Sequence, residues 1–322
     1  MSRLLLLANP SASGFTGALY RDVVSILSTA HEVDAEWPLD PGESRRLSAA
    51  AAENGYSIVV AMGGDGIVHH VANGVAGTSA ALGIVPAGTT NVAARIYMLP
   101  KRPRRAAVLI ARLPATPTRL ARIESSFKGE TSVEYATFAV GVGFDAAVVE
   151  RAEQRPHSKV WFGGAHYAES AISTLLTDWR GRPANLRVDI DGERVDGVAA
   201  LTQVHHPYTY FGRVPLHITQ NHVEGLAAVV AGDLEVHRAA EIFARAILRK
   251  PLADRLDAPV FTCFDRLTID AEPATAFQAD GEHLGLADRI EITPATDALL
   301  VVRDPEACCT PRENPPATRA SG

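Results

Sequence analysis

Two glycine turns carrying carboxylates are the residues best suited to chemistry. The first, Gly63-Gly64-Asp65-Gly66, follows the apolar run Ser57–Met62 and leads straight into Ile67-Val68-His69-His70-Val71-Ala72-Asn73. A short β-branched run bounded by glycine reads as a buried strand, and the segment after it as a helix. Three glycines in four positions free the backbone for φ > 0 and for close approach by another molecule. A loop that feeds a helix start presents unpaired N–H groups and a positive dipole end, which suit a phosphate. Asp65 beside a phosphate requires a cation between the two, or hydrogen bonds from the loop, and a magnesium–nucleotide complex supplies the first. A ligand-free strand-to-helix turn explains the same residues without that chemistry. The second turn, Gln278-Ala279-Asp280-Gly281-Glu282, lies between two strand-like runs. Asp-Gly there is first of all a hairpin turn. The sharper reading is a carboxylate pair facing a cleft, one acid taking a proton from a substrate hydroxyl while the other is held by hydrogen bonds.

Two further loops could join them. In Pro86-Ala87-Gly88-Thr89-Thr90-Asn91, Asn91 is placed to cap the next helix, and Thr89 or Thr90 to bond a phosphate oxygen or a base edge. Asn9 and Ser11, in the Asn9–Gly14 loop, allow the same two readings. Gly141-Val142-Gly143-Phe144-Asp145-Ala146 is similar to a dinucleotide fingerprint, but it sits in a β-rich stretch with no βαβ unit and acidic ribose partner after it. Close packing of strand on helix is the simpler account. The histidines, including His69-His70 and His205-His206, lack zinc spacing and read as surface or loop residues, with His69 a candidate loop contact. Neither a Walker-type phosphate loop nor a Gly-x-Ser-x-Gly nucleophile elbow is present.

The elements that must position these loops alternate in the first third of the chain. Strands are expected at Leu4–Ala8, Glu32–Trp37, Ser57–Met62 and Ala81–Val85. Helices are expected at Gly17–Thr29, Glu43–Glu53, Ile67–Asn73, from Asn91 to about Met98, and at Arg105–Leu113, with Asp40-Pro41-Gly42 a turn. This rhythm predicts a parallel sheet, with ligands beyond the carboxyl ends of its strands, where all three small-residue loops emerge. Pro114–Thr118 reads as a linker. After it come short alternating runs: Leu120–Ser125, Thr131–Val142, Asn185–Ile190, Val195–Val204, Val214–Thr219, Leu226–Val230, Val260–Ile269, Ala276–Ala279 and Arg289–Thr293. Helical insertions are expected at Ser158–Trp179 and Val236–Lys250. The expected architecture is thus a Rossmann-like α/β nucleotide-binding domain over residues 1–116, with 295–304 returning to it. A mostly antiparallel β-sandwich over 117–294 follows, then a disordered tail over 305–322.

Composition limits the function classes. The 322 residues are 47% hydrophobic and carry a net charge of −6, which argues against a nucleic-acid partner. The one dense basic cluster, Lys101-Arg102-Pro103-Arg104-Arg105, reads most simply as a solvated helix start, with an anion or anionic-lipid contact as the alternative. Three cysteines form no disulfide framework or zinc spacing, in keeping with a reducing cytoplasm. Leu4-Leu5-Leu6-Leu7 is too short for a signal core, and no span is long enough to cross a bilayer.

Taken together, Leu4–Pro10, Gly63–Gly66, Pro86–Arg95 and Phe277–Glu282 resemble, in order, the motifs of the diacylglycerol kinase catalytic-domain family. The likeness is greatest to its soluble bacterial lipid kinases, which are similar to sphingosine kinases. Gly141–Val149 and Lys159–Tyr167 add weaker agreement. The resemblance implies ATP and Mg2+ in a cleft between two domains, and transfer of the γ-phosphoryl group to the hydroxyl of a lipid such as diacylglycerol or a sphingoid base. It implies that Gly63, Gly64, Asp65, Gly66, Ile67, Val68 and His69 form the phosphate loop, that Asn9, Thr89 and Asn91 contact the nucleotide, and that Asp280 and Glu282 flank the accepting hydroxyl, either of them as base. The implied lipid partner is met by peripheral contact of a cytoplasmic enzyme with a membrane surface, and a homodimer is left open. Departures from the family pattern are Ile67 for threonine, Val92 for aspartate, Pro38-Leu39 where a threonine contacts the nucleotide, and Asn221–Leu226. That last stretch keeps only Glu224 of a structural metal turn. These departures keep open a catalytically silent nucleotide- or lipid-binding protein. An NAD kinase-like enzyme shares the Gly-Gly-Asp-Gly loop, and a nicotinamide-dependent oxidoreductase would rest on Gly141–Ala146.

Overall fold

A computed structural model of the chain describes residues 2–153, 183–211, 214–219, 224–232 and 259–305. The helices expected at 158–179 and 236–250, the agreement at Lys159–Tyr167, residues 221–223 of the stretch 221–226 and the tail after 305 lie outside the described residues.

The first part is a parallel sheet in the order β4-β3-β1-β2, made of β1 (Ser2–Ala8), β2 (His31–Glu36), β3 (Ile58–Gly63) and β4 (Ala81–Pro86). Its central strands are apolar on both sides because both faces are covered. Val59 and Ala61 pack with α3 (Asp65–Val75). Val60 and Met62 point the other way, into a core shared with α1 (Gly17–Leu27) and α5 (Pro103–Ile110). Ala8 pairs with Met62 and Gly63 with Pro86, so the loops after β1, β3 and β4 leave one edge of the sheet.

Asp40-Pro41-Gly42, expected as a turn, is instead the start of α2 (Pro41–Glu53). The Asp40 carboxylate accepts the Glu43 N–H at 2.7 Å, Glu43 accepts the Leu39 N–H, and Pro41 occupies the first turn, where no N–H is required. Local capping outweighs turn propensity here.

Pro114–Thr118 is not a linker. Most of it is the start of β5 (Ala115–Phe127), whose first residues pair antiparallel with the end of β16 (Glu282–Val302), Val302 opposite Ala115. Proline and threonine at a strand start read as linker only while the partner strand, far along the chain, is out of view. The remaining strands are mostly antiparallel: β6 (Glu130–Ala136), β7 (Ala139–Gly143), β8 (Leu186–Ile190), β9 (Glu193–Gly197), β10 (Ala199–Gln203), β13 (Ala227–Ala231), β14 (Val260–Thr262) and β15 (Leu267–Ala279). A short hairpin, β11 (Thr209–Phe211) with β12 (Val214–Leu216), stands apart as its own sheet. Ile123, Val142, Val188, Val230, Ile269 and Ile290, among others, enclose a second core.

The main sheet runs β14-β13-β10-β7-β15-β16-β4-β3-β1-β2. The fold class is therefore the expected one, α/β followed by mostly antiparallel β, but the two parts share a continuous hydrogen-bonded sheet. β16 makes the join: it pairs with β15 and β5, and Leu300 lies parallel to Ala81 of β4.

Candidate active site

A cavity of about 390 Å³ lies at the sheet edge where the three loops emerge. One end is lined by Asn9, Ser11, Gly64, Gly66, Gly88 and Thr89, the middle by Asp65, Asp280, Gly281 and Glu282, and the far end by residues after β7 and around β11 and β12. Of the predicted phosphate loop, Gly64, Asp65 and Gly66 reach the cavity. Gly63 closes β3, where a Cβ would lie 2.6 Å from Ile67. Ile67, Val68 and His69 are buried within α3, so their side chains cannot be phosphate contacts. Helix α3 begins two residues earlier than expected, at Asp65. Gly64 is its N-cap and makes no side-chain cap. The first-turn N–H groups therefore keep their capacity for an anion.

The loops are tied to one another. The Gly14 N–H donates to the Ala87 carbonyl at 2.7 Å, and the Ser13 and Thr89 hydroxyls are 3.1 Å apart. A Cβ on Gly88 would come within 2.4 Å of the Gly64 Cα, so glycine is required there by close approach. Asn91 departs from expectation. It sits in the left-handed region at φ 51° and does not cap α4 (Val92–Ile96) with its side chain. Its amide closes the loop on Gly88 instead, accepting the N–H at 2.9 Å and donating to the carbonyl at 2.7 Å. The α4 N-terminus is capped by Asp65, whose Oδ1 accepts the Ala93 N–H at 3.0 Å. The Asp65 carboxylate thus sits at the N-termini of two helices. Burial nevertheless pushes its carboxyl up to about 6, against the lowering effect of the Val92 and Ala93 N–H groups.

A carboxyl raised in this way works against folding when ionised. That penalty is absent below its ordinary value near 3.8 and fully present above about 6. Asp65→Asn keeps an acceptor for the Ala93 N–H and removes the charge. The variant should gain thermal stability over the native chain at pH 8 and little at pH 4, in metal-free melts. A stability difference that does not change with pH would contradict this account of Asp65.

Asp280 and Gly281 form a two-residue hairpin turn between β15 and β16, both with positive φ. Asp280 is 3% exposed, and its carboxylate is saturated. Oδ2 accepts the Thr137 N–H at 2.7 Å and the Thr137 hydroxyl at 2.9 Å, and Oδ1 the Phe138 and Ala139 N–H groups at 2.8 and 3.2 Å. His69 Nδ1 lies 3.1 Å from Oδ2. The strand expected over Thr131–Val142 breaks at Thr137 and Phe138, between β6 and β7, and this break turns their amides toward Asp280. His69 is therefore a buried partner rather than a loop contact. Burial lowers its affinity for a proton, but the hydrogen bond to Asp280 and the charges of Asp280, Glu134 and Glu282 outweigh that and raise its pKa. Glu134 also pairs with Arg45 of α2.

Glu282 differs from its neighbour. It is partly exposed in the cavity and lies against the phosphate loop, where a Cβ on Gly66 would meet its Oε1 at 2.6 Å. His70 Nε2 is 3.9 Å from its Oε2, and burial, first of all, pushes the His70 pKa down to about 4. Glu224 is exposed and outside the cavity lining, and among the described residues no group of three or more His, Cys, Asp or Glu gathers to hold a metal.

Sequence reasoning missed Arg95 and the far end of the cavity. The Arg95 guanidinium lies 3.4 Å from the centre of the Tyr210 ring. Only the Gly141-x-Gly143-Phe144-Asp145 stretch gave a signal there, and it was read as packing.

Solved structures share this fold. A diacylglycerol kinase structure from Bacillus anthracis superposes with a TM-score of 0.68 at 17% identity, covering 95% of this chain and 98% of that one. A second structure from that organism gives 0.73 at 19%, covering 95% and 99%. Yeast NADH kinase gives 0.52 at 11%, covering 95% and 84%. These likenesses show the fold that the chain shares with those proteins. In sequence, residues 3–123 match the model of the diacylglycerol kinase catalytic domain. Diacylglycerol kinase of Mycobacterium tuberculosis is 32% identical over 193 residues, which are 58% of this chain and 58% of that protein. A probable YegS-like lipid kinase of Pseudomonas putida is 41% identical over 75 residues, 21% of this chain and 25% of that one. The match thus spans less than two thirds of the length of these relatives.

Proposed function

We propose that the chain is an ATP-dependent lipid kinase that transfers the γ-phosphoryl group to a lipid hydroxyl. The observation that carries this reading is that the α3 N-terminus, Asp65 and Glu282 line one shared cavity. Residues 1–116, with 295–304, would hold the nucleotide, and 117–294 the acceptor. The triphosphate would lie on the Asp65, Gly66 and Ile67 N–H groups and on the loops holding Asn9 and Thr89. Asp65 fits a magnesium ion that arrives with the nucleotide, because such ions are held by one or two carboxylates together with the phosphates. That ion would neutralise charge between the phosphates and Asp65. The acceptor oxygen would form a bond to the γ-phosphorus as the bond to the ADP oxygen breaks, and the hydroxyl proton would pass to Glu282. Glu282 is favoured over Asp280 as base because every Asp280 oxygen is already engaged. Asp280 and His69 would hold the turn that aims Glu282.

Lipid substrate implies peripheral contact with a membrane. Among the described residues no helix is long and apolar enough to cross one. Transfer of labelled phosphate from ATP and magnesium into a lipid extract tests the reading, with NAD as the competing acceptor. Label in the lipid phase supports it. Label in NAD alone, or nucleotide binding without transfer to any acceptor, rejects it.

A further inference from the structure

The far end of the cavity holds a polar group that the proposed transfer does not use. Asp145 lies in the first turn of α6 (Phe144–Glu153). Its Oδ2 accepts the Tyr208 hydroxyl at 2.9 Å and the Gln278 amide at 2.7 Å. Gly141 makes room for this contact, since a Cβ there would lie 1.9 Å from Asp145 Oδ2. The Gln278 carbonyl in turn accepts the Gly281 N–H at 2.8 Å. Tyr208, Asp145, Gln278 and the Asp280–Glu282 turn thus form one hydrogen-bonded chain along the cavity wall.

Asp145 Oδ1 has no protein partner among the described residues, and Asp145 lines the cavity. Val148, Val149 and Leu216 line the same end. A carboxylate oxygen left open beside an apolar wall suits a lipid headgroup that brings its own hydrogen-bond partner.

We infer that Asp145 is a specificity-determining residue for the acceptor, and that its Oδ1 receives the second hydroxyl of a lipid diol whose neighbouring hydroxyl is phosphorylated. This rests on the lipid-kinase reading and adds the acceptor class to it. An ester carbonyl is only an acceptor and matches only the protonated form of Asp145. An ammonium is only a donor and matches only the ionised form. A hydroxyl donates to the carboxylate and accepts from the carboxylic acid, so it fits both forms.

Equilibrium binding of 1-monooleoylglycerol and of 1,2-dioleoylglycerol, each in neutral detergent micelles and without nucleotide, tests the inference on the full chain. The native protein should bind the diol about tenfold more tightly. Asp145→Ala should remove that preference, and Asp145→Asn, which can both donate and accept, should restore most of it. A native chain without preference, or a preference that survives in Asp145→Ala, overturns the inference. So does loss of the preference in both variants alike, which would mark Asp145 as structural only. Because no turnover is measured, a native chain that binds the diol but transfers no phosphate refutes the kinase reading while the role of Asp145 stands.

Discussion

Replacing Asp280 by alanine should cost about 3–5 kcal/mol of folding free energy, because it leaves a buried partner charge and several amides unpaired. Three backbone N–H groups, the Thr137 hydroxyl and His69 converge on this one carboxylate. None of these donors is rescued by water in a site 3% exposed. A loss of that size is a large share of the roughly 5–15 kcal/mol that holds a typical domain folded. The unfolding midpoint in urea should therefore fall far below that of the native chain. Asp280→Asn should also be costly, since an amide nitrogen would replace one of two oxygens that both accept. A fall of under about 1 kcal/mol for the alanine variant would show that the amides find other partners. His69 adds a pH signature. Its pKa is raised in the fold, so its contribution is full below the ordinary histidine value and is lost as pH rises through the folded value. The alanine variant should lack that alkaline decline.

Glu282→Gln should do the opposite: leave the fold nearly intact and remove transfer. A positioned base contributes typically 10²–10⁴-fold, so kcat should drop by about that factor. Glu282 is partly exposed, and glutamine keeps its shape, so the thermal midpoint should move by no more than a surface substitution allows. Nucleotide affinity should be nearly unchanged. Transfer within about threefold of the native rate would move the base elsewhere, Asp65 being the next carboxylate along the cavity. The pair of variants separates two neighbouring acids that sequence alone left equivalent, one required for folding and one for chemistry.

Much of this site was legible in the sequence, for local reasons. Glycine followed by a carboxylate at a strand end, and Asp-Gly between alternating runs, are set by backbone sterics that act over a few residues. The three loops could be placed at one edge because a parallel sheet with right-handed crossovers leaves little choice. Long-range partners were not legible. Asn91 was given the capping role that Asp65 performs from 26 residues earlier in the chain, since nothing local tells a carboxylate that another helix will start beside it. His69 reads as a loop contact from sequence because its buried partner lies 211 residues away. Pro114–Thr118 reads as a linker for the same reason: only β16, near the end of the described chain, makes it a strand. Asp145 was hidden for a different cause. Its stretch matched a better-known fingerprint, and the bland account of that match, close packing at Gly141, was correct but incomplete.

The 21-residue strand β16 has a mechanical consequence. It is bonded to the antiparallel strands at one end and to the parallel sheet at the other, so the two parts of the chain cannot part along a flexible tether. Its ladder with β5 is interrupted between Ala295 and Leu299, and Asp297 there takes a φ of 53°. Any breathing of the cleft must bend this beam, and its ladders are already irregular both here and opposite β15, around Gly285 and between Ala287 and Arg289.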